Sequence, residues 1–351
     1  MTYIAKPKFR HPKLPVNAQG LTHRDYEGVV STLCAGCGHD SISAAVIEAC
    51  FELDIEAHRI AKVSGIGCSA KTTNYFLGRS HGFNSVHGRM PSVATGANLA
   101  NRDLVYIGVS GDGDTASIGM GQFVHAVRRR LNMLYLVENN GTYGLTKGQS
   151  SATNDKNSKN KKGLSTPFES IDLAAMAVEL GAGFVARSFS GDKAQLVPLM
   201  KAALRYRGFA LIDVISPCVT FNNPAASTKS YDYVREHNAA LDRLDFIAGK
   251  REITADYAAG TSTDVRLHDG SVLQLYKLSE DYDPCDKARV LATLQRIKAS
   301  GEIATGLLYV DEDEADLHDL IATTKQPLNE LGDAELCPGS DALEAINASH
   351  S

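Results

Sequence analysis

Along the first two thirds of the chain, short apolar runs alternate with stretches whose apolar positions recur at helical spacing. Ile42, Ala45, Val46, Ala49, Cys50 and Leu53 mark one helix face, with Asp40 or Ser41 as its N-cap. Residues 60–63 form a short strand that runs into the glycine-rich turn SGIGCS. PSVATGANLA (91–100) reads as a helix of small residues, and DLVYIGVS (103–110) as a buried strand. GDGD follows, then a helix over 119–131 that ends in Arg128, Arg129 and Arg130, where positive charge suits the helix dipole. A second buried strand, MLYLVE, delivers ENNGTYG. Strand, glycine turn, helix and strand in that order specify a βαβ unit, and in parallel sheets ligands sit at the strand C-termini.

The alternation continues with a helix over 171–180, a strand over 184–187, a helix over 194–206 and the strand FALIDVIS. The fold class is therefore α/β, a mostly parallel sheet with helices on both faces. Residues 148–166 are polar and basic without periodicity, and are expected as a loop or mobile lid. Three segments follow from these shifts: an extended N-terminal arm (1–33), the α/β domain (34–235) and an irregular C-terminal extension (236–351). Within the extension, HDG at 268–270 predicts a hairpin turn. The acidic DEDEAD at 311–316 and the terminal tail are expected to be solvated or folded onto a partner.

Composition narrows the function classes. With 351 residues and 43% of them hydrophobic, the chain can bury a large core. Its 36 basic against 41 acidic residues leave a net charge of −5, which argues against a nucleic-acid protein by bulk electrostatics. No apolar run approaches the roughly 18–20 residues of a membrane span, and the N-terminus has no secretory apolar region. Seven cysteines, an odd number, suit a reducing cytoplasm and metal or redox work better than a disulfide framework.

Two constellations carry chemistry. The first pairs GDGD (111–114) with Asn139 and Asn140 one strand later. A carboxylate and an amide oxygen at neighbouring strand ends can share one hard cation such as Mg²⁺, which takes the rest of its ligands from phosphate and water. Gly111 and Gly113 let backbone N–H groups approach a diphosphate. GDG alone is a common turn; with NN after a strand–helix–strand interval the pair resembles the thiamine-diphosphate motif. That resemblance implies Asp112, the Asn140 side chain and the Thr142 carbonyl as metal ligands. The second constellation is the CxxC of Cys34 and Cys37 with the singletons Cys68 and Cys218. Four thiolates hold either one [4Fe–4S] cluster or one zinc. Taken alone, Cys68 and Cys218 read equally well as small core residues. Cys50 reads as core by its helical spacing, and Cys285 and Cys337 have no ligand neighbours.

CAGCGH, GIGCS, HGR (87–89), ATGAN, GDGD, ENN and YGLTKGQ occur in one order across residues 15–235. That order resembles the β subunit of the 2-oxoacid:ferredoxin oxidoreductases, closest to the 2-oxoglutarate (2-oxoglutarate synthase) type. The resemblance implies a thiamine-diphosphate-binding fold and a [4Fe–4S] cluster on Cys34, Cys37, Cys68 and Cys218. Ala35, where many members have proline, departs from the pattern without removing a ligand, and the C-terminal third carries no family motif. Ile66, Gly67, Ser69, His87, Gly88, Gly113, Asp114 and Leu145 are implied cofactor contacts beside Gly111, Asp112, Asn140 and Thr142. The implied reaction is reversible, coenzyme A-dependent oxidative decarboxylation of 2-oxoglutarate to succinyl-CoA and CO₂, with electrons passed to ferredoxin. The pyrimidine side of the cofactor would come from an α subunit, giving an (αβ)₂ assembly.

Three side chains are candidates for direct work on the reactants. His87, an imidazole, suits a diphosphate hydrogen bond or proton shuttle. Lys147, beside the metal loop, and Lys71, three residues after Cys68, suit the distal carboxylate that 2-oxoglutarate has and pyruvate lacks. Both lysines read also as solvated surface residues. The KNSKNKK run reads as a solvated loop, or as a patch that steers anions or an acidic ferredoxin. Three readings stay open beside the 2-oxoglutarate type: a pyruvate-type subunit, a non-oxidative thiamine-diphosphate decarboxylase with a structural zinc site, and a non-catalytic zinc module.

Overall fold

The computed structural model describes residues 13–146, 148–156, 166–218, 253–266, 272–313, 315–337 and 339–350. Lys147, most of the KNSKNKK run, the HDG turn and the boundary near residue 235 lie outside the described residues. Eleven strands are described: β1 (Ile60–Ser64), β2 (His81–Asn84), β3 (Val105–Gly111), β4 (Met133–Asn139), β5 (Thr142–Tyr143), β6 (Gln149–Ser150), β7 (Phe184–Phe189), β8 (Phe209–Ile215), β9 (Ser262–Arg266), β10 (Val272–Lys277) and β11 (Ile303–Val310). Nine of them form one sheet in the order β2-β1-β3-β4-β8-β7-β11-β10-β9, while β5 and β6 make a separate small hairpin. From β2 to β7 every neighbouring pair is parallel; β11 then runs antiparallel to β7 and β9 antiparallel to β10.

The central strands are buried on both faces, and their side chains alternate between two cores. In β4, Met133, Tyr135 and Val137 join one core while Leu134 and Leu136 join the other. The first core is covered by α3 (Met90–Ala100), α4 (Met120–Arg128), α5 (Leu173–Leu180) and α7 (Lys287–Ala299). The second lies under α1 (Gly38–Glu52) and α6 (Lys193–Arg205). Cys50 is fully buried in that second core, as its helical spacing predicts, and burial pushes its thiol up to about 12. Among the described residues no helix is long and apolar enough to cross a membrane.

Several expectations shift. α1 starts at Gly38 rather than after Asp40 or Ser41, because the CxxC turn itself feeds the helix and Cys37 takes the N-cap position without a side-chain cap. Before α4 the chain makes a π turn, Gly113–Ile118, which widens the backbone just after GDGD. Part of the C-terminal extension is regular: β9, β10 and β11 extend the sheet past β7, with α7 packed on them. β9 and β10 pair as the predicted hairpin. The acidic run is not all solvated. Asp316 is 2% exposed, caps the helix Leu317–Leu320 and accepts a 3.0 Å bond from Arg207. A charge next to an apolar turn is buried here because a cap and an arginine both neutralise it.

Behind the strand ends lies one buried ion triad. Arg187 on β7 donates from Nε to Asp213 on β8 at 2.9 Å and from Nη2 to Asp172, the N-cap of α5. Burial would raise the Asp172 carboxyl, but the Arg187 charge and the cap hydrogen bonds hold it below its usual value. Removing the guanidinium leaves two buried carboxylates uncompensated, so Arg187→Leu is expected to cost about 3–5 kcal/mol. Because the folded Asp172 pKa is depressed, its share of stability is present above about pH 4. That share is lost as pH falls toward the folded value. Denaturant unfolding of both proteins from pH 7 to pH 3 checks this, and a loss below 1 kcal/mol would remove the triad from the stabilising interactions.

Candidate active site

The C-terminal ends of β1, β3 and β4 converge, and the turns that follow them enclose a cavity of about 70 Å³. Gly111, Asp112, Gly113 and Asp114 form its floor, with Asn140 and Thr142 on one side. Ile66, Gly67, Ser69, His87 and Leu145 complete the predicted set, and Gly88 stands one step behind. Ile66 and Leu145, 38% and 49% exposed, mark the open side. A larger cavity of about 340 Å³ lies toward the C-terminal strands. Its polar wall is the Arg187, Asp172 and Asp213 triad already described, so its main charges are spent on one another.

Asp112 is 1% exposed. Burial raises its carboxyl, opposed by hydrogen bonds from Ser151, Thr153 and the Asn140 N–H. The Thr153 hydroxyl donates at 2.6 Å and the Asn140 N–H at 3.2 Å, with Ser151 as a third donor. The Asn140 side-chain oxygen accepts from the Thr142 N–H at 3.0 Å, so these three residues form one linked loop. Asn139 donates to Asp213 at 3.0 Å and its side-chain oxygen accepts from Thr153 at 3.2 Å. Ser151 and Thr153 belong to the polar stretch read from sequence as a loop; its start anchors the carboxylate instead.

Asp114 does a different job. It accepts from Ser110 at 2.7 Å and from the Gly88 N–H at 2.7 Å, and it pairs with His87 Nδ1. The HGR turn is thereby pinned to the cavity, with His87 34% exposed along its side chain and edge-on to Tyr143, ring centroids 6.0 Å apart. Tyr143 donates to the Gly113 carbonyl at 2.9 Å. Lys71 sits on α2 (Cys68–Thr72) and does not line the cavity. Its positive charge favours the Cys68 thiolate, against a burial effect that raises that thiol.

The cysteines gather on the wall facing α1. A Cβ placed on Gly144 would lie 3.3 Å from the Cys68 sulfur and 3.7 Å from the Cys218 sulfur, so both thiols face one small space that a side chain would fill. Burial raises the Cys37 thiol, and Glu138 and Cys218 raise it further; Cys68 feels Cys218 and Cys34 in the same way. Thus the four predicted cysteines lie within electrostatic range of one another, and none of the seven forms a disulfide. Among the described residues, however, no three His, Cys, Asp or Glu stand at metal-ligand spacing.

Asp112 and the side-chain oxygen of Asn140 are oxygen donors of the kind a hard cation takes, beside glycines that leave room for a diphosphate. The cysteines meet the expectation in part: Cys68 and Cys218 face one gap, with Cys34 and Cys37 in electrostatic range. Sequence reasoning missed His39 and Glu138, which line the same cavity, as well as Tyr143, Gly144 and Thr146. The available signal for Glu138 was a charge ending an apolar strand, and for His39 its place in CAGCGH.

Comparison with known proteins agrees with this geometry. Residues 65–214 match the thiamine pyrophosphate enzyme, C-terminal TPP binding domain. A 2-oxoacid:ferredoxin oxidoreductase subunit beta from Sulfolobus sp is 42% identical over 192 residues, 54% of this chain; the match spans 63% of that relative, under two thirds of its length. A 2-oxoglutarate synthase subunit KorB from Methanocaldococcus jannaschii is 32% identical over 255 residues, covering 70% of this chain and 92% of the relative. Among solved structures, a 2-oxoglutarate:ferredoxin oxidoreductase from Magnetococcus marinus with 2-oxoglutarate, coenzyme A and succinyl-CoA bound superposes with a TM-score of 0.71 at 28% identity, over 96% of this chain and 97% of that one. Sequence order, sheet topology and site together lead to one conclusion: the chain belongs to the β subunits of the 2-oxoacid:ferredoxin oxidoreductases.

Proposed function

We propose that the chain is the thiamine-diphosphate-binding subunit of a coenzyme A-dependent 2-oxoglutarate:ferredoxin oxidoreductase that works with an α subunit. The observation that carries this reading is the shared cavity: a buried aspartate with its Asn140–Thr142 loop on one side, and Cys68, whose sulfur shares a gap with that of Cys218, on another. Either wall alone fits other enzymes; a decarboxylating cofactor beside an electron acceptor fits this one. When bound, thiamine diphosphate supplies the electron sink for decarboxylation and a [4Fe–4S] cluster accepts electrons singly.

Within that reading the chain's own groups have separate tasks. Asp112, the Asn140 side-chain oxygen and the Thr142 carbonyl hold Mg²⁺, and Ser151 and Thr153 keep the Asp112 carboxylate oriented. Asp114 orients His87 and the HGR turn toward the cofactor. Ile66 and Leu145 give the cofactor apolar contacts at the mouth of the cavity. Cys34, Cys37, Cys68 and Cys218 hold the cluster. Lys147 meets the distal carboxylate of 2-oxoglutarate, and Lys71 assists either a substrate carboxylate or the Cys68 thiolate.

The cavity volume of about 70 Å³ is well below the roughly 300–1,000 Å³ that enclose a drug-sized ligand. This supports a site completed by another subunit, in an (αβ)₂ assembly, with ferredoxin as the external acceptor. The names of the KorB relatives and the 2-oxoglutarate bound to the Magnetococcus marinus enzyme favour 2-oxoglutarate over pyruvate.

The direct test is the chain co-expressed with its α-type partner and purified without oxygen. Coenzyme A-dependent viologen reduction by 2-oxoglutarate is expected, with much slower reduction by pyruvate; turnover of pyruvate alone would overturn the substrate assignment. Metal analysis of the same preparation should give about four irons with labile sulfide per chain. A single zinc would replace the oxidoreductase reading with the decarboxylase or zinc-module one. Asp112→Asn removes a charge-assisted contact of about 1.5–3 kcal/mol, so thiamine diphosphate with Mg²⁺ should bind roughly ten- to hundredfold more weakly by calorimetry. Unchanged binding would take Asp112 out of the cation site. Lys147→Met should depress kcat/KM for 2-oxoglutarate much more than for pyruvate, and equal losses would exclude it from substrate choice.

A further inference from the structure

Glu138 is the penultimate residue of β4, 1% exposed, and its Oε2 has no hydrogen-bond partner among the described residues. Strand alternation turns it to the face that carries α1, the side of Leu134 and Leu136. Around it stand residues from three elements. Burial raises its carboxyl well above the usual range and Thr72, four residues after Cys68 on α2, lowers it, while the Thr72 hydroxyl itself donates to the Ser69 carbonyl at 2.6 Å. His39, two residues after Cys37 and 1% exposed, brings Nδ1 to 3.6 Å of Glu138 Oε2. The same Nδ1 shares a 2.5 Å hydrogen bond with the hydroxyl of Ser216, which is fully buried and two residues before Cys218. The Ser216 N–H in turn donates to the Asn139 carbonyl at 2.7 Å, next to Asn140.

Each of these groups is one or two residues, or one helical turn, from a thiol or from the cation loop. Gly38 shows how close the fit is, since a Cβ there would meet the Ser190 and Ser216 hydroxyls at 2.4 and 2.8 Å. We infer that Glu138, His39 and Ser216 form a buried positioning unit that fixes the Cys37 and Cys218 thiols relative to Asn140. The cluster and the cofactor cation are thereby registered against one another by packing rather than by any direct bond. These are positioning residues, acting through the thiols and Asn140. Buried polar groups hold such a register because leaving one partner unmet costs the full desolvation penalty. The inference rests on the cluster assignment proposed above.

The test uses the αβ complex, purified without oxygen, carrying Ser216→Ala, Glu138→Ala or Glu138→Gln. Iron and labile sulfide are counted, iron release to a chelator is timed, and the spin-resonance spectrum of the reduced cluster is recorded. Both alanine variants are expected to release iron at least fivefold faster and to show altered g values. Glu138→Gln, which keeps the shape and a carbonyl oxygen beside His39, should restore both toward wild type. Wild-type release rates and spectra in both alanine variants would overturn the inference while leaving the cluster assignment intact. A wild-type complex without iron would instead overturn both. If Glu138→Ala fails to assemble, Ser216→Ala decides, because it removes a single hydroxyl from an otherwise unchanged strand end.

Discussion

Three carboxyl groups buried at the ends of two adjacent parallel strands are the constraint on which the rest of this structure depends. Asp112 and Asp114 follow β3, and Glu138 ends β4, all at 3% exposure or less. An ionised carboxyl away from water is costly unless hydrogen bonds or opposite charge meet it. Each is met differently. Asp112 draws in the 151–153 loop and the Asn140 backbone. Asp114 draws in the HGR turn, while burial raises the Glu138 carboxyl well above the usual range, so that its neutral form is favoured beside His39. The active-site walls are the set of segments recruited to pay these desolvation costs.

This arrangement explains why the cavity can be shallow and still specific. The sheet supplies rigid strand ends, buried on both faces, and the functional side chains sit within a few residues of them. Backbone that must bend sharply there is glycine-rich. Gly67, at φ +129°, starts α2 and so aims Cys68 at the space beside Gly144. The π turn after GDGD serves the same end, changing the path of the chain where Asp114 has to reach back to His87. Local backbone irregularity is concentrated where chemistry needs it, and the flanking helices remain regular.

Much of the fold was legible because its signals are local. Alternating apolar strands and amphipathic helices placed β3, β4, β8, α3, α5 and α6 to within a few residues, and HDG marked the β9–β10 hairpin. GDGD and the two asparagines were readable as a pair because their spacing spans one strand–helix–strand unit, and Thr142 joined them only through the family resemblance. Ser151 and Thr153 were not, since nothing in a polar loop tells which hydroxyl will turn back on a strand end. Nor does an acidic run show that its last member, Asp316, will be caught by Arg207, more than a hundred residues earlier in the chain.

The sequence by itself determined the α/β class, the strand ends that carry the site, the four cysteines and the family to which the chain belongs. Those follow from periodicity, spacing and motif order, which are properties of neighbours along the chain. Only the tertiary structure decided that β9, β10 and β11 extend the same sheet, that Lys71 does not line the cavity, and that His39, Glu138 and Ser216 meet. The physical reason is the same in each case. Strand partners, buried hydrogen bonds and the screening of a charge depend on which distant segments pack together, and packing is a property of the whole chain.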